Sequence, residues 1–221
     1  MINYLVISKK KWNKNNFKTL KRPFIFLNKL DKKKIANISP KIIFFIHWSQ
    51  KIPPEIFNNF LCIQFHSSNL PKFRGGSPIQ NQIIRGIKKT KVTAFKVSNK
   101  IDSGDICLKK NLDLNGTAMQ IYERMEKICL YMIKDLARKK KIKFNKQKGK
   151  PSYFRRRKAT ESNMLSLKII SIENMFNFIR MLDAHEYPKA YLDIKKFKIL
   201  FKNVKKTKKK ILEGEFKIVK K

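Results

Sequence analysis

The sequence contains four short runs of apolar residues, separated by spacers that are long enough for a helix. The runs are Tyr4–Ile7, Phe24–Leu27, Ile42–Ile46 and Leu61–Phe65. Because each run is continuously apolar rather than alternating, it is typical of a strand that is buried on both faces of a parallel sheet. The spacers at 14–20 and 31–38 can each hold two turns of helix. The pattern predicts an α/β protein that begins as a doubly wound sheet.

The remaining chain predicts further helices and strands and a small C-terminal extension. The first group is a helix at Pro78–Arg85, strands at Val92–Val97 and Ile106–Lys109, and a long amphipathic helix from Thr117. The stretch Lys139–Lys150 has no apolar period and is typical of a linker or an exposed loop. A second amphipathic helix and a hairpin follow, at Ser171–Leu182, Ala190–Ile194 and Phe197–Phe201. We therefore expect one domain over 1–150 and a helix-hairpin extension over 151–221.

The charge of the chain is unusual, because 53 Lys and Arg stand against 15 Asp and Glu in 221 residues, a net charge of +38. Lysine outnumbers arginine 44 to 9. A surface selected for nucleic acid favours arginine, whose guanidinium binds phosphate and guanine through two hydrogen bonds. Drift in the amino-acid composition therefore explains the charge better than selection for a polyanion-binding surface does. Such a selected surface stays open as the alternative.

Cysteine usage and hydropathy indicate the compartment. The three cysteines form no C-x-x-C pair, which argues against a disulfide framework or a zinc site, so no metal is expected. The longest apolar run, Ile42–Ile46, is far too short to span a membrane. The first eight residues do not resemble a signal peptide. We expect a cytoplasmic protein with no membrane partner.

The stretch that carries the chemistry begins at His66, at the end of the fourth predicted strand. Ligands of open α/β sheets bind at the carboxyl ends of strands. Gly75 and Gly76 follow, just before a helix that Ser77 is expected to cap, and such a pair lets the backbone approach an anion closely. Asp102 lies in a later turn, before the next strand. A strand-end histidine with a loop carboxylate fits a general base and its orienting partner, and a purely structural histidine stays the alternative.

Three linked motifs contain these residues: HSSNLPKFRGGSP from His66, TKVT from Thr90 and DSG from Asp102. Their order, and the 36 positions from His66 to Asp102, resemble the signature of the 10-formyltetrahydrofolate-dependent formyltransferases. The segment Gly75–Asn81 resembles the form found in the sugar N-formyltransferases of that family, which are related to the enzymes that formylate methionyl-tRNA.

The resemblance implies an abridged Rossmann-like, mostly parallel sheet and the transfer of a formyl group from 10-formyltetrahydrofolate to a primary amine. It implies that His66 is the general base and that Asp102 orients the imidazole. The family usually has Asn two positions before the histidine, as a donor to the developing oxyanion. Gln64 stands at that position. Gln64 is therefore a candidate for the same catalytic donor on a longer side chain. The alternative is that Gln64 is only a residue of the strand and takes no part in catalysis.

The resemblance also implies two groups of binding residues. Those expected at the folate cofactor are Trp48, Ile52, Pro53 and Gly104. Those expected at the substrate are Arg74, Gly75, Gly76, Ser77, Arg155 and Arg180. Arginine suits this part of the site because its guanidinium matches a diphosphate. The alternative for Trp48 is a place in the core.

The acceptor implied by this resemblance is the amine of a nucleotide-linked amino sugar, a precursor of surface glycans such as lipopolysaccharide. The first alternative is a methionyl-tRNA formyltransferase. Against this alternative, only 20 residues follow Phe201, which are too few for a barrel-like tRNA-binding domain. A polyanion-binding protein on a degenerate formyltransferase scaffold is the second. The expected partners are the folate and the nucleotide amino sugar; nucleic acid is not expected, and a homodimer stays open.

Overall fold

The computed structural model describes residues 3–9, 17, 20–166, 171–185 and 187–221. The helix expected at 14–20 lies almost entirely outside them. The strands are β1 (Tyr4–Ile7), β2 (Phe24–Leu27), β3 (Ile42–Phe45), β4 (Cys62–His66), β5 (Arg74–Gly75), β6 (Lys89–Lys96), β7 (Ile106–Asp113), β8 (Tyr153–Phe154), β9 (Ala190–Ile194), β10 (Phe197–Lys208) and β11 (Ile211–Lys220). The α-helices are α1 (Lys32–Ile38), α2 (Pro54–Asn59), α3 (Pro78–Ile83), α4 (Ala118–Arg138) and α5 (Ile172–Leu182). Two short 3₁₀ helices lie at Ala159–Ser162 and Met164–Ser166. Among the described helices, none is both long and apolar enough to cross a membrane.

The chain divides into two compact units, each assembled from three stretches of sequence. Unit 1 comprises Met1–Gly75, Lys91–Leu112 and Met125–Tyr153. Unit 2 comprises Gly76–Thr90, Asp113–Arg124 and Phe154–Lys221. The division expected between residues 150 and 151 stays a prediction.

Unit 1 contains a six-stranded sheet with the strand order β2-β1-β3-β4-β6-β7. The first four strands in this order are parallel to one another, and β6 pairs antiparallel with β4. The expected α/β class and the mostly parallel sheet are thus confirmed. In the β4–β6 register His66 lies opposite Thr93, so the chain reverses direction in the sheet beside the end of β4.

The core of unit 1 explains why the first apolar runs are continuous rather than alternating. All residues of β1 and β3 are buried. On one side, Leu5, Ile43 and Phe45 pack in a cluster with Ile35 of α1 and Ile56 of α2. Both faces of these central strands are therefore removed from water, which favours apolar side chains at every position.

Unit 2 contains a three-stranded antiparallel sheet with the order β11-β10-β9, against which α5 packs. The expected hairpin is present, but its second strand continues to Lys208 instead of ending at Phe201. A third strand, β11, was not expected at all. Both corrections have the same cause. These strands are largely exposed and rich in lysine and glutamate, so their side chains carry no continuous apolar signal.

Candidate active site

Unit 1 brings His66 and Asp102 together. His66 is the last residue of β4, and Asp102 lies in the turn between β6 and β7. The Nδ1 atom of His66 is 3.5 Å from Oδ2 of Asp102, and the two residues are only 6% and 8% exposed. On its other side, Nε2 of His66 donates to the backbone carbonyl of Phe73 at 2.7 Å. The imidazole is thus held between a carboxylate and a carbonyl.

The contacts of His66 indicate how this pair handles a proton. A carbonyl oxygen can only accept, so Nε2 carries a hydrogen. The Nδ1 atom faces a carboxylate, which is also an acceptor. An imidazolium, which donates from both nitrogens, satisfies both neighbours at once. Of the two ring nitrogens, Nδ1 is therefore the one that can take up a proton, with the Asp102 carboxylate 3.5 Å away as its acceptor.

The backbone of the turn that carries Asp102 is closely restricted in its conformation. Asp102 has a φ of 48°, and its Oδ2 accepts a hydrogen bond from the backbone N–H of Gly75 at 2.8 Å. Two positions later, a Cβ on Gly104 would lie 1.7 Å from the carbonyl oxygen of Lys96. Glycine is therefore required at position 104 by the approach of the neighbouring strand. The expected contact of Gly104 with a folate stays a prediction.

Gln147, which the sequence did not single out, connects this turn to Arg74. Its Nε2 donates to the carbonyls of Asp102 and Gly104, each at 2.9 Å. Its Oε1 accepts from Nη2 and Nε of Arg74 at 2.6 and 3.2 Å. The Arg74 guanidinium also donates from Nη1 to the Tyr153 hydroxyl at 2.7 Å. Arg74 is 8% exposed, so its contacts favour a structural role over the expected contact with a phosphate.

The loop after His66 is anchored by a lysine that the sequence also did not indicate. The Nζ atom of Lys109, on β7, donates to the side chain of Asn69 at 2.7 Å and to the carbonyl of Leu70 at 2.6 Å. Burial lowers the pKa of Lys109. The hydroxyl of Thr93 holds the same loop, because it donates to the carbonyl of Ser68 at 2.7 Å. These bonds fix the path that brings the Phe73 carbonyl back to His66.

Gln64 lies on β4, two positions before His66, and is half-buried. Its Nε2 donates to the carbonyl of Trp48 at 3.3 Å. An amide nitrogen carries two hydrogens, so this bond uses one of them and the other suits an oxyanion. Trp48 and Ile52 are buried members of the apolar cluster of unit 1, and Pro53 is half-buried. For Trp48 and Ile52 this burial favours the core alternative over the expected folate contact.

The Gly76-Ser77 pair belongs to unit 2. A Cβ on Gly76 would lie 2.4 Å from the backbone of Arg156, so a close approach of two backbone segments requires glycine here. Ser77 occupies the N-cap position of α3, but its side chain makes no capping hydrogen bond. Its hydroxyl instead contacts Tyr187 Oη and accepts from the N–H of Arg157, both at 3.2 Å. Ser77 is thus the N-cap residue, as expected, although its hydroxyl is used elsewhere.

Arg155 and Arg180, also in unit 2, have different surroundings. Arg155 is largely exposed and forms a bidentate pair with Glu161 at 2.8 and 3.0 Å. The hydrogen bonds from Arg155 lower the pKa of Glu161 to about 2. Arg180 is 5% exposed and donates to the carbonyls of Leu114 and Gly116 at 2.6 and 2.9 Å. Burial lowers the pKa of Arg180. This geometry favours a structural role for Arg180 over the expected contact with a diphosphate.

Comparison with known protein families places these motifs in context. Residues 5–129 match the family described as Formyl transferase. Residues 159–219 match the family described as Methionyl-tRNA formyltransferase, C-terminal domain. The second match includes β9, β10 and β11, so the short stretch after Phe201 is no argument against a relative of the tRNA enzymes.

Individual proteins similar to this chain also include methionyl-tRNA formyltransferases. A curated methionyl-tRNA formyltransferase from Clostridioides difficile (strain 630) is 38% identical over 109 residues, which are 48% of this chain and 35% of that protein. The solved methionyl-tRNA formyltransferase from Clostridium thermocellum has a TM-score of 0.93 and 37% identity, covering 100% of both chains. A sugar N-formyltransferase from a Shewanella species has a TM-score of 0.66 and 21% identity, covering 88% of this chain and 94% of that one. The last likeness concerns the fold alone.

Proposed function

Because the chain belongs to the formyl transferase family, we propose that it transfers a formyl group from 10-formyltetrahydrofolate to the amine of methionyl-tRNA. The observation that carries this proposal is the likeness to the Clostridium thermocellum enzyme over the whole of both chains, at 37% identity. The match of residues 159–219 to the C-terminal domain of the same enzymes supports the acceptor. The net charge of +38 also suits a polyphosphate substrate.

The acceptor expected from the sequence motifs, a nucleotide-linked amino sugar, has weaker support. Its basis is the Gly75–Asn81 segment. Within that segment, Gly76 is required by the backbone of Arg156, and the Ser77 hydroxyl contacts Tyr187 and Arg157. Packing in unit 2 therefore accounts for two of its residues without a sugar ligand.

The chemistry of the site residues fits formyl transfer, for which 10-formyltetrahydrofolate supplies the formyl group when bound. As the amine bonds to the formyl carbon it loses a proton, which His66 accepts and can pass to the folate nitrogen when the bond from that nitrogen to the formyl carbon breaks. The Asp102 carboxylate, 3.5 Å away, then stabilises the imidazolium. The spare N–H of Gln64 donates to the oxygen on which negative charge develops. Contacts of Trp48, Ile52, Pro53 and Gly104 with the folate stay predictions.

The test is an acceptor assay with the purified chain and 10-formyltetrahydrofolate. Methionyl-tRNA and a set of 3-amino and 4-amino sugar nucleotides are offered separately, and formylated product is measured by mass spectrometry. We expect formylation of methionyl-tRNA. His66→Ala and Asp102→Asn should each lower kcat by about 100-fold or more, because each removes part of the proton-accepting pair. His185→Ala, which removes an exposed histidine from unit 2, is the matched control and should retain wild-type turnover.

Each of the other outcomes would exclude either the proposed acceptor, the proposed activity or the proposed role of His66. Formylation of a sugar nucleotide but not of methionyl-tRNA would establish the sugar acceptor instead. Retention of tRNA on the protein at physiological salt, without turnover of the folate with any acceptor, would favour the polyanion-binding alternative. Wild-type turnover in His66→Ala would remove His66 from the mechanism.

A further inference from the structure

We propose that Gln147 is a positioning residue that holds Asp102 against His66, an inference that rests on the proposed function of this pair. The side chain of Gln147 uses both ends of its amide. The nitrogen binds the turn that carries Asp102, and the oxygen binds Arg74. All of these residues lie in unit 1.

The nitrogen end restrains the backbone of the turn. Gln147 Nε2 donates to two carbonyls, those of Asp102 and Gly104, which lie on either side of Ser103. Asp102 has a φ of 48°, in the left-handed region that a residue with a Cβ adopts at a cost. Such a conformation persists only where surrounding contacts hold it. The two hydrogen bonds from Gln147 are contacts of this kind.

The oxygen end restrains the same aspartate from the other side. Gln147 Oε1 accepts two hydrogen bonds from the guanidinium of Arg74. The next residue, Gly75, donates its N–H to Oδ2 of Asp102, the carboxylate oxygen that faces His66. The backbone and the carboxylate of Asp102 are therefore tied to one closed circuit of hydrogen bonds, through Gln147, Arg74 and Gly75.

Only a primary amide on a side chain as long as that of glutamine can bind both the two carbonyls of the turn and the guanidinium of Arg74. A glutamate would still accept from Arg74, but it has no hydrogen for the two carbonyls when ionised. An asparagine has the same groups on a side chain shorter by one carbon. The distance between His66 Nδ1 and Asp102 Oδ2, 3.5 Å, leaves little room for a shift of the turn before the pairing is lost.

The kinetic test uses Gln147→Ala and Gln147→Glu in the acceptor assay. We expect both to lower kcat by about 10- to 100-fold with KM for methionyl-tRNA changed by less than about twofold, because a displaced aspartate affects the proton transfer rather than binding. Asn145→Ala, which removes an exposed amide from the same stretch, is the matched control and should behave as wild type. In an Asp102→Asn background, Gln147→Ala should lower kcat by less than about threefold, since a residue that acts through Asp102 has no further effect there.

A spectroscopic test needs no turnover. The chain has three histidines, so the ring carbon-bound protons can be followed by NMR, with the His66 signal assigned from His66→Ala. We expect Gln147→Ala and Asp102→Asn to move the His66 signal in the same direction and to leave that of His185 in place. If the wild type proves inactive with every acceptor but this coupling is observed, the proposed function fails and the positioning role stands. If the wild type is active and neither kcat nor the His66 signal responds to Gln147→Ala or Gln147→Glu, the positioning role is wrong.

Discussion

Replacing Arg180 with methionine should lower the free energy of unfolding by about 3 kcal/mol. Methionine keeps an unbranched apolar side chain in place of the aliphatic part of arginine but removes every donor. Three acceptors lose their partner: the carbonyls of Leu114 and Gly116, and Oδ1 of Asn177, which receives a 2.8 Å bond from Nε. Leu114 and Asn177 are buried, and Gly116 is half-buried.

The magnitude follows from these three bonds. A buried acceptor that loses its hydrogen bond costs about 1–3 kcal/mol, so two buried acceptors and one partly hydrated acceptor give a loss of about 3–6 kcal/mol. Removing the guanidinium also removes the cost of burying a charge, the same cost that lowers the pKa of Arg180. This gain offsets part of the loss, and the lower end of the range is the expected net effect.

The measurement is urea-induced unfolding followed by circular dichroism, with Arg155→Met as the matched control. Arg155 pairs with Glu161, but its side chain is 68% exposed, so this variant should lose far less stability than Arg180→Met. A loss below about 1 kcal/mol for Arg180→Met, or an equal loss in both variants, would refute the structural role assigned to Arg180. An unchanged stability combined with a raised KM would instead restore the ligand contact expected from the sequence.

Two further predictions concern Gln64 and Glu161. Gln64→Asn should retain formyl transfer, since the amide remains, whereas Gln64→Leu should lower kcat by about 100-fold; equal rates in the acceptor assay would exclude Gln64 as a donor to the oxyanion. Hydrogen bonds from Arg155 lower the pKa of Glu161 to about 2, from the 4.5 that is ordinary for a glutamate. Its contribution to stability, at most about 1 kcal/mol for so exposed a pair, should therefore be complete above pH 4.5 and disappear as the pH falls to 2. Thermal melts of wild type and Glu161→Gln across this range should converge at low pH, and a constant difference would contradict the assignment.

The sequence predicted the parts of the fold whose side chains are buried without interruption. The strands β1, β2, β3 and β4 were located to within a residue, because burial on both faces demands consecutive apolar residues. The strand β11 was missed for the opposite reason. Its residues alternate between apolar, acidic and basic types on an exposed sheet, and its strand pairing depends on backbone hydrogen bonds that any side chain permits.

A similar division applies to the candidate site. The motifs placed His66 at the end of a strand and Asp102 in a turn, and the structure brings them within 3.5 Å. Gln147 could not be predicted in the same way. Its partners Arg74 and Asp102 are 73 and 45 positions away in the sequence, and a hydrogen bond at such a separation leaves no periodic pattern. The only local signal is an amide within a run of lysines that is otherwise typical of an exposed loop.

The antiparallel pairing of β6 with β4 also limits how the gene for such a chain can change in length. Because His66 lies opposite Thr93, an inserted or deleted codon within β6 would turn the following side chains of that strand to the other face of the sheet. Where the change precedes Thr93, the bond from Thr93 to the loop after His66 would be lost as well. The turn after β6 is restrained in length as well, because Gly104 lies against the carbonyl of Lys96, the last residue of β6. Homologous chains should accordingly keep a constant number of residues over β6 and this turn and concentrate their length variation in other connections.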